Sequence, residues 1–343
     1  MSAARTGRNI FLDYVRGIAC ILIVLYHYTQ RYNELFQNSG DWKFRVPWGY
    51  MAISTFFMLS GYLAIINDDS KTGLWTYIKK RAIRLFPAYW VAIPITFITT
   101  HFLLTSRRVS LIVALFNFTM LESFVGIPLV DGAYWTLANE LVFYFFVAIV
   151  VVLLKKRNTL PIFGLGWILL LFIYHFVKSD SLFCAAIGKL IAKQYGHMFV
   201  AGTSLVFFLK ETRNKWITIV SAICILLAVV YQYLTFGLDY TMFFLISLLV
   251  IVVCIIVDKR GLVPNDIFRK LLKPLEITAT ISYPFYLLHQ NIGYAIMENL
   301  RPIITEKEWI IIIPILTVFA LAYLVHKFIE IPIADFLRKK YCA

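Results

Sequence analysis

Apolar stretches of about twenty residues, the length that crosses a bilayer as a helix, recur along the whole chain and constrain its fold more than any other feature. A backbone in lipid must satisfy its own hydrogen bonds, so these stretches predict helices and not open sheets. Hydropathy and flanking charge predict spans at 10–30, 49–66, 86–105, 134–154, 160–178, 194–210, 216–234, 240–257, 277–298 and 309–328. We therefore expect an all-α, polytopic integral membrane protein of about ten transmembrane helices.

Composition excludes an ordinary soluble domain. Of the 343 residues, 60% are hydrophobic and only 15% are charged, whereas soluble domains carry about 25% charged residues. The first apolar stretch contains Arg16 and no small-x-small cleavage site follows it, so we interpret it as a permanent span and not as a signal peptide. The loops between the spans are short, which predicts a single transmembrane domain over residues 1–343.

The net charge of +14 is interpreted as membrane topology and not as nucleic-acid binding. If the N-terminus is cytoplasmic and ten spans alternate, 22 of the 33 Lys and Arg residues fall inside, 10 fall outside and Arg16 lies in the membrane. This asymmetry predicts a cell-membrane protein with both termini and residues 67–84 in the cytoplasm. The apolar stretch 110–122 is shorter than a span and suits either a re-entrant or an interfacial helix.

The first span carries two ionisable residues, Arg16 and His27. They are eleven residues apart, which on an α-helix places them on one face and about 16 Å apart along the axis. Ionisable groups inside a span are costly and are candidates for function. The alternative is an arginine that snorkels to one interface and a histidine that lies at the other.

Two further groups of polar residues lie in or beside spans. Arg81 and Arg84 are three residues apart, hence neighbours on a helix that could bind phosphate bidentately, or anchor the chain at the cytoplasmic interface. Glu140 lies inside a span, where a carboxylate could orient an imidazole, act as a base or form a structural ion pair. Ser60 could hydrogen-bond across a helix pair.

A second intramembrane histidine lies near the end of the chain. Ser282, Tyr286 and His289 follow at i, i+4 and i+7, which is one helical face, and Pro284 is expected to kink or open this helix near its middle. The other histidines, at positions 101, 175, 197 and 326, are expected to be interfacial because they lie near span ends. The histidine and cysteine spacings predict neither a metal site nor a disulfide framework.

Six short motifs occur in an order that is typical of one family. They are Leu12–Ala19 with Arg16 eleven residues before His27, Phe56–Gly61, Arg81-x-x-Arg84 before Pro87, Trp135–Glu140, Ser282–His289 and Ile329–Pro332. This series, from about residue 9 to 335, resembles the acyltransferase-3 family, the membrane O-acyltransferases of bacterial surface glycans. Family members often have Ser where this chain has Thr136 and Ala138, but Glu140 is retained.

The resemblance implies a donor and an acceptor. The donor would be cytoplasmic acyl-CoA, commonly acetyl-CoA, with its phosphates on Arg81 and Arg84 and with Arg16 helping to seat it. His27 would be the catalytic base. Some relatives carry an extracytoplasmic esterase-like domain, which we do not expect in this chain.

The predicted function is a membrane O-acyltransferase, specifically an O-acetyltransferase, acting on a sugar of a cell-surface polysaccharide or of its lipid-linked precursor. The predicted catalytic residues are His27, Arg16, Glu140 and His289, and the predicted donor-binding residues are Arg81, Arg84 and Arg16. Ser60, Ser282 and Tyr286 are further candidates, the last two as hydroxyl carriers of the acyl group. Partners would be acyl-CoA, a carbohydrate and the lipid bilayer, without metal or nucleic acid; oligomeric state and glycan-assembly partners stay open. The alternative is a polysaccharide flippase or another transporter.

Overall fold

The computed structural model describes residues 9–36, 44–66, 73–153, 155, 157–177, 181–209 and 214–341. Within these ranges the chain is almost entirely helical and contains no strand, which confirms the all-α prediction. Eight helices are long and apolar enough to cross a membrane: α1 Ile10–Phe36, α2 Pro47–Ile66, α3 Leu74–Leu103, α6 Gly132–Val152, α7 Arg157–Phe176, α10 Lys215–Phe236, α11 Leu238–Lys259 and α15 Lys307–Tyr341.

Shorter helices complete the bundle: α4 Leu111–Asn117, α5 Glu122–Val125, α8 Leu182–Leu190, α9 Gly196–Leu209, α12 Asp266–Leu271, α13 Lys273–Thr280 and α14 Ser282–Leu300. Two of them, α9 and α14, occupy the predicted spans 194–210 and 277–298. Most residues of both helices are buried, which shows that other helices enclose them. A helix that faces protein tolerates Gln290 and Asn291, which lipid would not.

Close packing of α2 on α9 depends on two glycines. A Cβ on Gly61 would meet the carbonyl oxygen of Phe199, and a Cβ on Gly202 would meet the carbonyl oxygen of Met58. Small residues allow helix backbones to approach in membranes, where dispersion contacts drive association. The motif glycine at position 61 is therefore explained by packing.

The segment between α3 and α6 is re-entrant. After α3 ends, the chain folds back beside it, so that Trp90 Nε1 donates to the carbonyl oxygen of Phe118 at 3.0 Å and Tyr89 OH donates to Glu122 Oε1 at 3.1 Å. Tyr89 lies fourteen residues before Leu103, or about 21 Å from the end of α3 at 1.5 Å per residue. The stretch 110–122 thus enters the bundle without crossing it, which decides between the two alternatives.

Helix α14 begins with a break. Helix α13 ends at Thr280, Ile281 forms a turn, and α14 starts at Ser282. Proline is tolerated in the first turn of a helix, where its missing N–H has no partner to lose. The expected interruption therefore lies one turn before Pro284, and not at the middle of the helix as predicted.

The helix ends meet in two sets that match the predicted alternation. At one end, Arg157 donates to the carbonyl oxygen of Ile65 at 2.7 Å, and Lys79 lies over the ring of Tyr341 at 5.5 Å. At the other end, Asn299 donates to the carbonyl oxygen of Leu103 at 3.0 Å. The prediction that the first set is cytoplasmic rests on charge alone; six of its basic residues, Arg5, Arg8, Lys71, Lys156, Lys210 and Arg213, lie outside the described residues.

Candidate active site

An open cavity lies where α1, α2, α3, α6 and α14 meet. Its apolar walls come from residues such as Ile23, Ile53 and Phe57. Its polar lining contains six of the nine predicted site residues: Arg16, Ser60, Arg84, Glu140, Ser282 and Tyr286. Five motifs that are far apart in sequence therefore converge on one space.

The two predicted catalytic histidines contact each other one turn beyond this cavity. His27 follows the lining residue Ile23 by four positions on α1, and His289 follows Tyr286 by three on α14. The ring centroids of the two histidines are 4.7 Å apart, with the planes at 78°. His289 is fully buried, whereas His27 is half-buried.

Hydrogen bonds fix where each ring carries its hydrogen. Nδ1 of His289 lies 2.7 Å from the carbonyl oxygen of Tyr286, so it must be the N–H, and in the neutral ring Nε2 is then an acceptor. Nδ1 of His27 lies 2.9 Å from the carbonyl oxygen of Ile23 and 3.2 Å from that Nε2. Facing two acceptors, Nδ1 of His27 holds the hydrogen, and Nε2 carries the lone pair. No described residue hydrogen-bonds to Nε2 of His27.

Helices α1 and α14 are tied together at the histidine pair. Tyr28 OH donates to the carbonyl oxygen of His289 at 2.6 Å. Gly293 leaves room for the Tyr28 ring, which any Cβ at that position would meet. A π-helical segment, His27–Arg31, begins at the catalytic candidate itself; such segments occur frequently at functional sites. The relative position of the two rings is thus set by the backbone.

Two hydroxyl candidates already donate hydrogen bonds to the backbone. Tyr286 OH donates to the carbonyl oxygen of Ala133 at 2.9 Å and accepts from Thr136 Oγ1 at 3.1 Å. Ser282 Oγ donates to the carbonyl oxygen of Ala279 at 2.8 Å. To act as a carrier of the acyl group, either hydroxyl would have to give up that bond.

Arg84 enters the cavity near the carboxylates of Glu140 and Glu330 but forms no direct ion pair with a described residue. Its side chain is exposed in the cavity lining, and no described residue forms a hydrogen bond with it or an ion pair within 4.0 Å. The nearby Glu140 accepts a short hydrogen bond from Tyr144 OH. A guanidinium with its donors unused is a ready site for a phosphate or a carboxylate.

Arg16 differs from Arg84 because a carboxylate lies within 4.0 Å of its guanidinium. Its NH1 lies 3.6 Å from Oδ1 of Asp13, which is buried. Asp13 belongs to the first motif but was not predicted as a site residue. The signal was present, since an acidic and a basic residue three apart on a helix are neighbours.

Arg81 lies outside the main cavity. Its guanidinium carbon is 5.1 Å from the ring centroid of Tyr77 and 4.8 Å from that of Tyr144. It lines a separate apolar groove between α3 and α6. Tyr144 therefore stands between the two arginines that the sequence paired.

Two other residues near the site were missed by sequence reasoning. Asp131 is fully buried and accepts from the backbone N–H groups of Ala133 and Asn291, both at 2.9 Å, which joins the start of α6 to α14 two residues beyond His289. An aspartate just before a predicted span is the usual signature of a helix N-cap. Tyr144, four residues after Glu140, could have been found as its i,i+4 neighbour.

The prediction for the remaining histidines was wrong at one position. His197 is fully buried, and its Nε2 lies 2.7 Å from Gln232 Oε1. It was expected at an interface because it begins a predicted span, but α9 starts inside the bundle. His326 pairs with Glu330 at 2.7 Å, and His101 is exposed. Within the described residues, no three histidine, cysteine or acidic side chains are grouped to hold a metal ion.

Comparison with known proteins places this site in a family. The chain is 27% identical over 368 residues to the O-acetyltransferase OatA of several Staphylococcus aureus strains, which covers 94% of this chain and 56% of the relative. It is 25% identical over 125 residues to Nodulation protein 10 of Rhizobium leguminosarum bv. viciae, which covers 31% of this chain and 34% of that protein. The chain thus spans about half the length of the OatA proteins it matches.

No solved structure matches the chain. The family model Acyl_transf_3, described as an acyltransferase domain, matches residues 9–327. This range contains the cavity, both histidines and all three arginines discussed above. The chain belongs to the acyltransferase-3 family.

Proposed function

We propose that the protein is a membrane O-acyltransferase that moves an acetyl group from acyl-CoA to a hydroxyl of a sugar. The acceptor would be a cell-surface polysaccharide or its lipid-linked precursor. The observation that carries the proposal is the unpaired Nε2 of His27 next to a cavity that holds Arg16 and Arg84. A base just beyond a cavity that holds two cationic groups suits an anionic donor whose reactive carbon is far from its phosphates.

The donor would enter at the Arg84 end. Its phosphates would take the unused donors of Arg84, with Arg16 further along the wall. Arg16 and His27 are eleven residues apart on α1, about 16 Å along the axis, so the linear pantetheine arm would follow the helix towards His27. The charge distribution predicts that the helix ends near Arg157 and Lys79 are cytoplasmic. The Arg84 end of the cavity would then face the compartment in which acyl-CoA occurs.

The chemical step needs one base and no metal. Nε2 of His27 takes the proton of the acceptor hydroxyl while that oxygen attacks the thioester carbonyl carbon. The carbon–sulfur bond breaks, its electron pair leaves with the sulfur of CoA, and the imidazolium returns the proton to that thiolate. The Nε2 of His289 keeps the Nδ1 hydrogen of His27 in place throughout.

Direct transfer is favoured over a carrier hydroxyl. Tyr286 and Ser282 both donate to backbone carbonyls and would lose those bonds on becoming nucleophiles. His27 is half-buried although it does not line the cavity, so an acceptor can approach it from a second direction.

The test uses purified protein in lipid nanodiscs with acetyl-labelled CoA and a panel of lipid-linked and polymeric glycans. Label transferred to a sugar hydroxyl and lost from it by mild alkali, as expected of an ester, supports the proposal. Glycan transport into sealed vesicles without any consumption of acetyl-CoA would support a flippase or permease instead. His27→Gln protein serves as the inactive control.

A further inference from the structure

The groove that contains Arg81 is a second cavity, distinct from the proposed catalytic one. It lies between α3 and α6, and both Arg81 and Tyr144 line it. Its lining is Leu74, Tyr77, Ile78, Arg81, Ala82, Leu85, Phe86, Leu141, Tyr144, Phe145, Ala148 and Ile149. Of these, Arg81 carries the only charge, and the two tyrosines are the only other polar side chains.

Among the described residues, Arg81 is held in this groove by ring contacts and by no hydrogen bond. Its guanidinium lies against the faces of Tyr77 and Tyr144, and its Nε is buried with no hydrogen-bond partner. No described residue forms an ion pair with it within 4.0 Å. Cation–π contacts leave the N–H donors unused. An unsatisfied cationic donor in apolar surroundings is unfavourable and is relieved by an anion.

The shape of the groove restricts what that anion can be. Along α3 it runs from Leu74 to Phe86, about 18 Å at 1.5 Å per residue, so it extends from the helix end that carries Lys79 and Lys80 towards the interior of the span. Phe145 and Ile78 on its rim are exposed, as expected for side chains that face lipid. A long apolar channel with one cationic group suits a molecule with one anionic head and a hydrocarbon chain.

Acyl-CoA fits this groove poorly. Its adenine, ribose and amide groups need several hydrogen-bond partners, whereas every lining residue apart from Arg81 and the two tyrosines is Leu, Ile, Ala or Phe. A free phosphate would leave the apolar length of the groove empty.

Basic residues around the mouth add to the attraction for an anion. Lys79 is exposed on the first turns of α3, and Lys339 and Lys340 are exposed on α15, which packs against α3 through Lys79 and Tyr341. Clusters of this kind at the end of a span attract anionic lipid headgroups.

We propose that this groove binds one anionic phospholipid of the bilayer, with its phosphate on Arg81 and one acyl chain between α3 and α6. The site is one side chain away from the proposed catalytic cavity, because Tyr144 contacts Arg81 on one side and donates to Glu140 on the other. The bound lipid would therefore hold Tyr144, and through it Glu140, in position.

The test is native mass spectrometry of the purified protein in neutral detergent, titrated with dioleoyl phosphatidylglycerol and, separately, with dioleoyl phosphatidylcholine. We expect a first phosphatidylglycerol site that Arg81→Gln weakens by about 10-fold, the loss of one charge-assisted contact. The matched control, Lys80→Gln, removes the same charge from the neighbouring residue and should leave that site within about 2-fold. Ala82→Phe, which fills the groove and keeps the charge, should also weaken binding.

Three results would overturn the proposal. Equal losses in Arg81→Gln and Lys80→Gln would mean attraction to a charged surface and no site. Displacement of the lipid by millimolar inorganic phosphate would mean a free-anion site. Full affinity in Ala82→Phe would mean that no chain enters the groove. Ala82→Phe keeps Arg81, so it tests the groove even if Arg81→Gln is unstable. The melting temperature of each variant, measured without added lipid, identifies a misfolded protein.

Discussion

Two histidines of this protein, the half-buried His27 and the fully buried His197, have opposite surroundings. The difference separates chemistry from packing. His27 has its Nδ1 hydrogen shared between a carbonyl oxygen and His289, and its Nε2 has no hydrogen-bond partner among the described residues. His197 donates from Nε2 to Gln232, and its Nδ1 is buried without a partner among Tyr231, Phe236 and Phe244. Both rings carry a lone pair, but the His27 side chain is partly exposed, whereas that of His197 is fully buried. Burial of a histidine in a membrane bundle is therefore not enough to assign it a reaction.

The largest expected effect on acetyl transfer comes from removing the His27 side chain. His27→Ala should lower acetyl transfer by about 10²–10⁴-fold, the usual cost of removing a general base. Binding of acyl-CoA and the melting temperature should change little, because the side chain is only half-buried. Turnover by protein in nanodiscs and acyl-CoA affinity by calorimetry measure the two quantities. If acyl-CoA affinity fell as far as turnover, His27 would be a binding residue.

The next largest effect is expected for the binding of acyl-CoA by Arg84. Arg84→Gln should raise the KM for acyl-CoA by about 10-fold, since one charge-assisted contact is lost, with a smaller change in kcat because the contact is remote from the reacting carbon. Arg81→Gln is the matched variant from the other side of Tyr144. The structure predicts a smaller change in KM for Arg81→Gln than for Arg84→Gln. Equal changes would mean that both arginines bind the donor, as the sequence predicted.

His289 should matter less than His27. Replacing it by Leu removes the acceptor for the His27 Nδ1 hydrogen, but the carbonyl oxygen of Ile23 still accepts it. The expected loss in kcat is about 10-fold, in keeping with one hydrogen bond. His289→Gln, which can offer an amide oxygen, should recover part of this loss. A loss in His289→Leu as large as that in His27→Ala would require both rings in proton transfer.

The smallest effect on turnover is expected at His197. His197→Phe should leave kcat per folded molecule within about 2-fold, yet lower the stability by about 1–3 kcal/mol because Gln232 loses its partner in a buried site. Measuring thermal unfolding in detergent together with kcat separates the effect on stability from the effect on turnover. Inactive but stably folded protein would show that this histidine too belongs to the chemistry.

The spans were predictable because a long apolar run in lipid has few alternatives to a helix. The residues at which the helices begin and end were harder to predict. Helix α3 begins at Leu74, twelve residues before the predicted span at 86, because Lys79 and Lys80 hide its first turns from a hydropathy window while Tyr77 and Ile83 are buried. The break at Ile281 likewise follows from the local limits on proline and not from hydropathy.

Ordered motifs selected the residues of the candidate site, but its arrangement could not be predicted. Ordered motifs identified Arg16, His27, Glu140 and His289, yet nothing in their spacing indicated that His27 and His289 touch. Spacing describes neighbours on one helix only, so it joined Arg81 to Arg84 and could not foresee Tyr144 from α6 between them. It also could not tell that α9 is enclosed, which is why His197 was misplaced.

The central claim is that Nε2 of His27 takes a proton, and His27→Gln tests it most directly. Glutamine keeps a hydrogen-bonding side chain of similar length but cannot act as a base at neutral pH. In a single-turnover experiment with enzyme in excess over labelled acetyl-CoA, the rate of acetyl transfer should fall by about 10²–10⁴-fold, with acyl-CoA affinity unchanged. A transfer rate close to that of the wild type would contradict the account and leave His27 as a hydrogen-bonding group only.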